Sequence, residues 1–108
     1  MNDVLDELYD IALERRNNPQ EGSYTCYLFE KGLDKILKKI GEESSETIIA
    51  AKNGVEEETV GEISDLLFHL SVMMVNEGIT PDKVKAELAR RHQKSGNLKN
   101  FHQVDKNT

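Results

Sequence analysis

Apolar residues recur along this chain at helical spacing, not with the period of two that a strand needs. Val4, Leu5, Leu8, Ile11 and Ala12 fall on one side of a helix drawn over residues 3–16, with Asp3 as its N-cap. Asn17-Asn18-Pro19 stops that run and a loop containing Gly22 follows. Ser23 or Thr25 caps a short helix reaching Phe29 or Glu30, and Gly32 breaks or kinks the chain. Leu33, Ile36, Leu37, Ile40, Ile48 and Ala51 then mark a long amphipathic helix over Leu33 to Lys52. Gly41 lies inside it, where glycine costs about 1 kcal/mol relative to alanine. It reads as a site of close helix packing, a site of ligand approach, or a tolerated weak spot.

Asn53-Gly54 is a turn or C-cap signal that folds the next helix back antiparallel. That helix, about Glu57 to Asn76, ends in Leu66, Leu67, Phe68, Leu70, Val72, Met73, Met74 and Val75, interrupted only by His69 and Ser71. Apolar residues on nearly every side predict burial on more than one face, and in so small a chain a central helix that contacts another subunit. His69 reads as a hydrogen-bonded core or interface residue in preference to a metal ligand. Glu77-Gly78 ends the helix, and Thr80-Pro81 opens another whose Val84, Leu88 and Ala89 are expected to face inward up to Arg91. Residues 93–108 are polar and are expected to form a mobile tail. The expected architecture is all-α: an antiparallel helical bundle of about four to five helices, with residues 1–108 as a single domain.

Composition narrows the function. The 108 residues carry 20 acidic and 14 basic side chains, a formal net charge of −6. No basic footprint for nucleic acid is present. A single cysteine, Cys26, excludes an intramolecular disulfide and suits a reducing compartment. The acidic N-terminus lacks an apolar signal region, and no apolar run approaches the length of a membrane span. A cytoplasmic location is expected, without membrane or nucleic-acid partners. A core of this size gains from oligomerisation, so a homodimer or higher homo-oligomer is expected.

Five acids concentrate that charge. Glu42, Glu43 and Glu46 share one arc of the long helix, and Glu62 and Asp65, three apart, share a face of the next. With these five set aside, 15 acids stand against 14 bases. A hairpin that gathers them must offset roughly 3 kcal/mol for each carboxylate pair about 5 Å apart at an effective dielectric near 20. A hard divalent cation does so, and Mg²⁺ shares its remaining positions with substrate phosphates. The alternative is a pair of solvated helix faces that never meet. Glu56-Glu57-Glu58 needs no such account, since acids suit the first turn of a helix. Lys35 and Lys39, one and two turns before Glu43, are either i,i+4 ion-pair partners or contacts to a ligand phosphate.

The spacing Glu42-Glu43-x-x-Glu46, then Glu62-x-x-Asp65 after 15 intervening residues, resembles the signature of the all-α, MazG-like nucleotide pyrophosphohydrolases. Within that superfamily the resemblance over most of the chain is to the phosphoribosyl-ATP pyrophosphatases of histidine biosynthesis. It is carried by Ser23-Tyr24-Thr25, the run Lys31 to Glu43, Ile49 to Asn53, Glu62 to Leu70, and Arg91-His92-Gln93-Lys94-Ser95-Gly96. The residues after Gly96 depart from the basic ending expected of the family, and the resemblance is to its free-standing form, for which no attached cyclohydrolase-like domain is expected.

The resemblance implies Mg²⁺-dependent hydrolysis of phosphoribosyl-ATP to phosphoribosyl-AMP and pyrophosphate. It implies Glu43, Glu46, Glu62 and Asp65 as metal ligands, and Glu42 as the group that holds or deprotonates the attacking water. Lys35, Lys39 and Arg91 become candidate cationic contacts to the nucleotide. Ser23, Tyr24 and Thr25 are candidate contacts to sugar, base or phosphate, with helix capping and packing as the alternative. Two other functions stay open at this point. One is a house-cleaning nucleoside triphosphate pyrophosphohydrolase of the same superfamily; the other is a non-catalytic helical dimer.

Overall fold

The computed structural model describes residues 2–93. The tail expectation concerns residues that lie almost wholly outside that range. Among the described residues the chain forms five helices and no strand: α1 (Val4–Asn17), α2 (Tyr24–Lys31), α3 (Leu33–Asn53), α4 (Glu56–Glu77) and α5 (Pro81–Gln93). The all-α expectation holds.

Each boundary has a chemical cause. Asp3 caps α1 by accepting from the Asp6 backbone N–H, while the Asp6 carboxylate accepts from the Asp3 N–H, a reciprocal capping box. Ser23, not Thr25, caps α2, its Oγ accepting from the Cys26 N–H at 3.2 Å. Gly54 closes α3 in the left-handed region, at φ 74°, which glycine enters without a Cβ clash. Only Val55 then separates Gly54 from α4, so the two longest helices fold back on each other directly.

Those two helices make the most extensive contact in the chain, and α4 also packs on α1 and α2. Ala12, Leu28, Ile36, Val72 and Val75, drawn from four helices, form the buried core. Phe68 and Met73 pack against it from α4. The apolar end of α4 is therefore central, as its composition requires, but much of its burial comes from its own chain. Arg16 ties α1 to the end of α4 by donating to the Val75 carbonyl at 2.9 Å. Lys85 ties α5 back to the start of α1 through Asp3 and Asp6, at 2.9 and 2.6 Å.

One expectation needs correction, and one alternative falls away. Val84 and Leu88 do not face an interior: Leu88 is 56% exposed, and Ala89 is exposed as well. The reason is that α5 packs only lightly, on α1, and it is the Lys85 side of the helix that makes the contact. Gly41 is not a close-packing position, because a Cβ there would meet nothing within 4 Å.

Candidate functional site

The α3–α4 hairpin is a ruler with Gly54 at its fold. Glu46 and Glu62 each lie eight residues from that glycine, and Glu43 and Asp65 each lie eleven. At about 1.5 Å of rise per residue, both pairs come level across the hairpin, roughly 12 and 16 Å from the turn. One carboxylate oxygen each from Glu43, Glu62 and Asp65 lies within 4.8 Å of the others. Glu46 joins from the side, close enough to perturb both Glu43 and Glu62. The two solvated faces of the alternative reading do meet.

Burial makes this meeting costly. Glu43 is only 6% exposed, and Oε2 of Glu43 and Oε2 of Glu62 are buried without a hydrogen-bond partner. An orphaned carboxylate oxygen loses its hydration with nothing in return. Burial raises Glu62 to about 7, with the neighbouring carboxylates of Glu46 and Glu43 adding to the rise. Burial raises Glu43 too, and the proximity of Glu46 and Asp65 adds to it. Two carboxylate groups that hold protons this tightly, beside two others, are short of positive charge. Octahedral Mg²⁺ with oxygens near 2.1 Å places its ligand atoms about 3–4 Å apart. A small adjustment of the side chains meets that spacing, so the donor set fits a hard cation.

A pH dependence follows. The folded protein holds a proton on Glu62 up to about 7, whereas the ordinary value is 4.5. This contribution to stability is complete below about 4.5 and is lost as the pH rises through 7. At the acid end, Asp3 and Asp6, lowered by their hydrogen bonds to Lys85, lose stabilisation as they protonate. Thermal unfolding in a chelator is expected to give a higher Tm at pH 5 than at pH 8, and Glu62→Gln to flatten the slope. A metal-free Tm that climbs from pH 5 to pH 8 would contradict this description.

Around the acids, Lys39 Nζ donates to Glu42 at 3.2 Å and stands 3.9 Å from Glu43. Its hydrogen bond and charge lower Glu42, which is exposed and stays ionised. Lys35 sits with its ammonium 5.9 Å from the centre of the Tyr27 ring. Tyr24 opens α2 at the edge of this group, and its hydroxyl feels the charges of Lys39, Glu43 and Glu42. Burial raises Tyr24, so its hydroxyl keeps its proton. Ser23 is engaged as the α2 cap, and Thr25 is half-buried in the first turn. Beside Ser23 and Tyr24 opens a depression of about 980 Å³ whose wall includes Arg15, Arg16 and Tyr27. Arg91 is not brought to the acids: it lies on α5, 71% exposed at its side chain, and pairs with Glu87 at 2.9 Å.

One contact had no signal in the sequence. The Tyr24 hydroxyl lies 2.8 Å from His69 Nε2, and His69 Nδ1 lies 2.7 Å from the Asp65 carbonyl oxygen. His69 is 4% exposed, the hydrogen-bonded core residue that the sequence suggests, but its partner is 45 residues away on another helix.

The comparison with known families decides what this hairpin belongs to. Residues 5–92 match the model of a family described as phosphoribosyl-ATP pyrophosphohydrolase. The chain belongs to that family. A phosphoribosyl-ATP pyrophosphatase of Clostridium botulinum is 58% identical over 99 residues, covering 92% of this chain and 90% of the relative. That of Streptococcus thermophilus is 54% identical over 95 residues, 88% of this chain and 91% of its own. That of Leuconostoc mesenteroides is 59% identical over 88 residues, 82% and 76% respectively. The phosphoribosyl-ATP pyrophosphohydrolase match runs from the first turn of α1 to the last turn of α5 and includes every acid of the hairpin. No helix among the described residues is long and apolar enough to cross a membrane.

Proposed function

We propose that this protein hydrolyses the α–β phosphoanhydride of phosphoribosyl-ATP, giving phosphoribosyl-AMP and pyrophosphate, the second step of histidine biosynthesis, in the cytoplasm. The observation that carries the reading is the carboxylate cluster of the α3–α4 hairpin in a chain of this family, in which one buried oxygen each of Glu43 and Glu62 lacks any partner. Glu43, Glu46, Glu62 and Asp65 are assigned as ligands of Mg²⁺. Bound there, Mg²⁺ neutralises the carboxylates and the triphosphate and stabilises charge on the leaving pyrophosphate.

The chain's own groups do the rest. Glu42, held ionised by Lys39, accepts a hydrogen bond from the attacking water and aims its lone pair at phosphorus. Water is assigned as the direct nucleophile: the hairpin hydroxyls of Thr47 and Ser64 are spent on the Glu43 and Val60 carbonyls, and the Tyr24 hydroxyl is engaged by His69. Lys39 and Lys35 are assigned to the phosphates, and Ser23, Tyr24 and Thr25 to the nucleoside. Arg91 is assigned to the second ribose phosphate, away from the metals. Pyrophosphate release from phosphoribosyl-ATP with Mg²⁺, and its loss in EDTA, tests the assignment.

The homodimer belongs to the same proposal. Val60, Ile63 and Leu67 leave a stripe of apolar surface on α4 at steps of three and four residues. Ile48 and Ile49 add exposed apolar surface on α3. Covering such surface supplies burial that a chain of this size lacks. Light scattering at micromolar concentration is expected to give twice the chain mass or more, and Leu67→Asp to lower it. A folded, active monomer would contradict the assembly.

A further inference from the structure

Hydrogen-bond polarity at Tyr24 can be read from its partners. The Asp65 carbonyl oxygen has no proton to give, so His69 Nδ1, 2.7 Å away, donates to it. Neither ring partner of His69 is a carboxylate, and both contacts are satisfied by the neutral ring. In the neutral ring only one nitrogen carries a proton, which leaves Nε2 bare. Tyr24, at 2.8 Å, must therefore donate its hydroxyl proton to Nε2. A phenol has one proton. What the Tyr24 oxygen presents to the site is acceptor capacity alone.

The hydroxyl is also held in place. The Tyr24 ring meets His69 edge-on, with centroids 5.7 Å apart, and stacks on Phe68 and Tyr27 at 6.1 Å each. Turning the hydroxyl to donate elsewhere would leave a buried imidazole nitrogen unpaired, which is costly.

We propose that the Tyr24 oxygen, fixed as an acceptor by His69, reads a hydroxyl of the ribose next to the cleaved phosphate. This rests on the proposed function above. A phosphate oxygen is itself an acceptor and cannot pair with Tyr24. The phosphates belong with the acids, and Tyr24 stands at the edge of that group, within the influence of Glu43, Glu42 and Lys39. Lys39 already donates to Glu42. The first donors a nucleotide offers beyond its α-phosphate are its ribose hydroxyls. Tyr24 is thus a specificity-determining residue, and His69 is the positioning residue that sets its polarity.

The test crosses two deletions. Wild type and Tyr24→Phe are assayed on phosphoribosyl-ATP and on its analogues lacking the 2′ or the 3′ hydroxyl of the adenosine ribose. One analogue is expected to lose about 3- to 10-fold in kcat/KM with the wild type, the worth of one neutral hydrogen bond. Tyr24→Phe is expected to lose as much on the full substrate and nothing more on that analogue. Additive losses overturn the proposal. Independently, ¹⁵N–¹H spectra of the full chain at pH 8, assigned by loss of the signal in His69→Gln, are expected to place the ring proton on Nδ1. A proton on Nε2 overturns it. A wild type that leaves phosphoribosyl-ATP uncleaved overturns the proposed function instead, and the ring spectrum then decides the polarity of Tyr24 on its own.

Discussion

Asp65→Asn and Glu46→Gln are each expected to lower phosphoribosyl-ATP cleavage on the order of 10³-fold while the helical circular dichroism is unchanged. Both substitutions keep the shape of the side chain and remove its charge. If the carboxylates hold a cation that neutralises the triphosphate, each ligand is worth several kcal/mol in the transition state. The fold does not depend on the same charges. Glu43 and Glu62 already sit in surroundings that disfavour their ionised forms, so a neutral neighbour relieves repulsion. In EDTA the substituted proteins should melt no lower than the wild type, and with Mg²⁺ the wild type should gain the larger increase in Tm. That opposite response of activity and metal-free stability distinguishes a ligand from a residue that merely supports the hairpin. Retention of near-normal turnover by both variants would remove the metal assignment.

The part of this site that could be read from sequence is the part made by local geometry. Helix periodicity and one turn signal, Asn53-Gly54, suffice to bring acids eight and eleven residues on either side of Gly54 level with each other. Capping chemistry at Asp3, Ser23 and Pro81 sets three more boundaries within a residue or two. What escaped depends on which helices meet. Val84 and Leu88 have the spacing of a buried face, but spacing cannot say whether a neighbour arrives to cover it. Arg91 opens the motif Arg91 to Gly96, and its pairing with Glu87 within α5 is a contact that the motif does not announce. Tyr24 and His69 meet because α2 packs on α4, a contact with no periodic signature.

Substrate choice is the second large effect. Carboxylates and their cation recognise a triphosphate and cannot separate one nucleotide from another. Phosphoribosyl-ATP differs from ATP by a second phosphorylated ribose carried on the adenine, so discrimination requires groups away from the acids. A charge-assisted hydrogen bond to that extra phosphate is worth roughly 1.5–3 kcal/mol, or about 10- to 150-fold. Arg91 is exposed, and Glu87, lowered to about 2 by its hydrogen bonds to Arg90 and Arg91, is its partner among the described residues. Binding the phosphate means exchanging or sharing that partner, which places the expected effect of Arg91→Ala toward the lower end of the range. Arg91→Ala should therefore narrow the preference for phosphoribosyl-ATP more than it lowers residual ATP hydrolysis. The measurement that bears most directly on the whole account is kcat/KM for pyrophosphate release across phosphoribosyl-ATP, ATP and the deoxynucleoside triphosphates, with Mg²⁺ and with EDTA. Phosphoribosyl-ATP cleaved at least about tenfold faster than any other, and only with Mg²⁺, is the predicted result; a deoxynucleoside triphosphate cleaved faster, or turnover that survives the chelator, would contradict it.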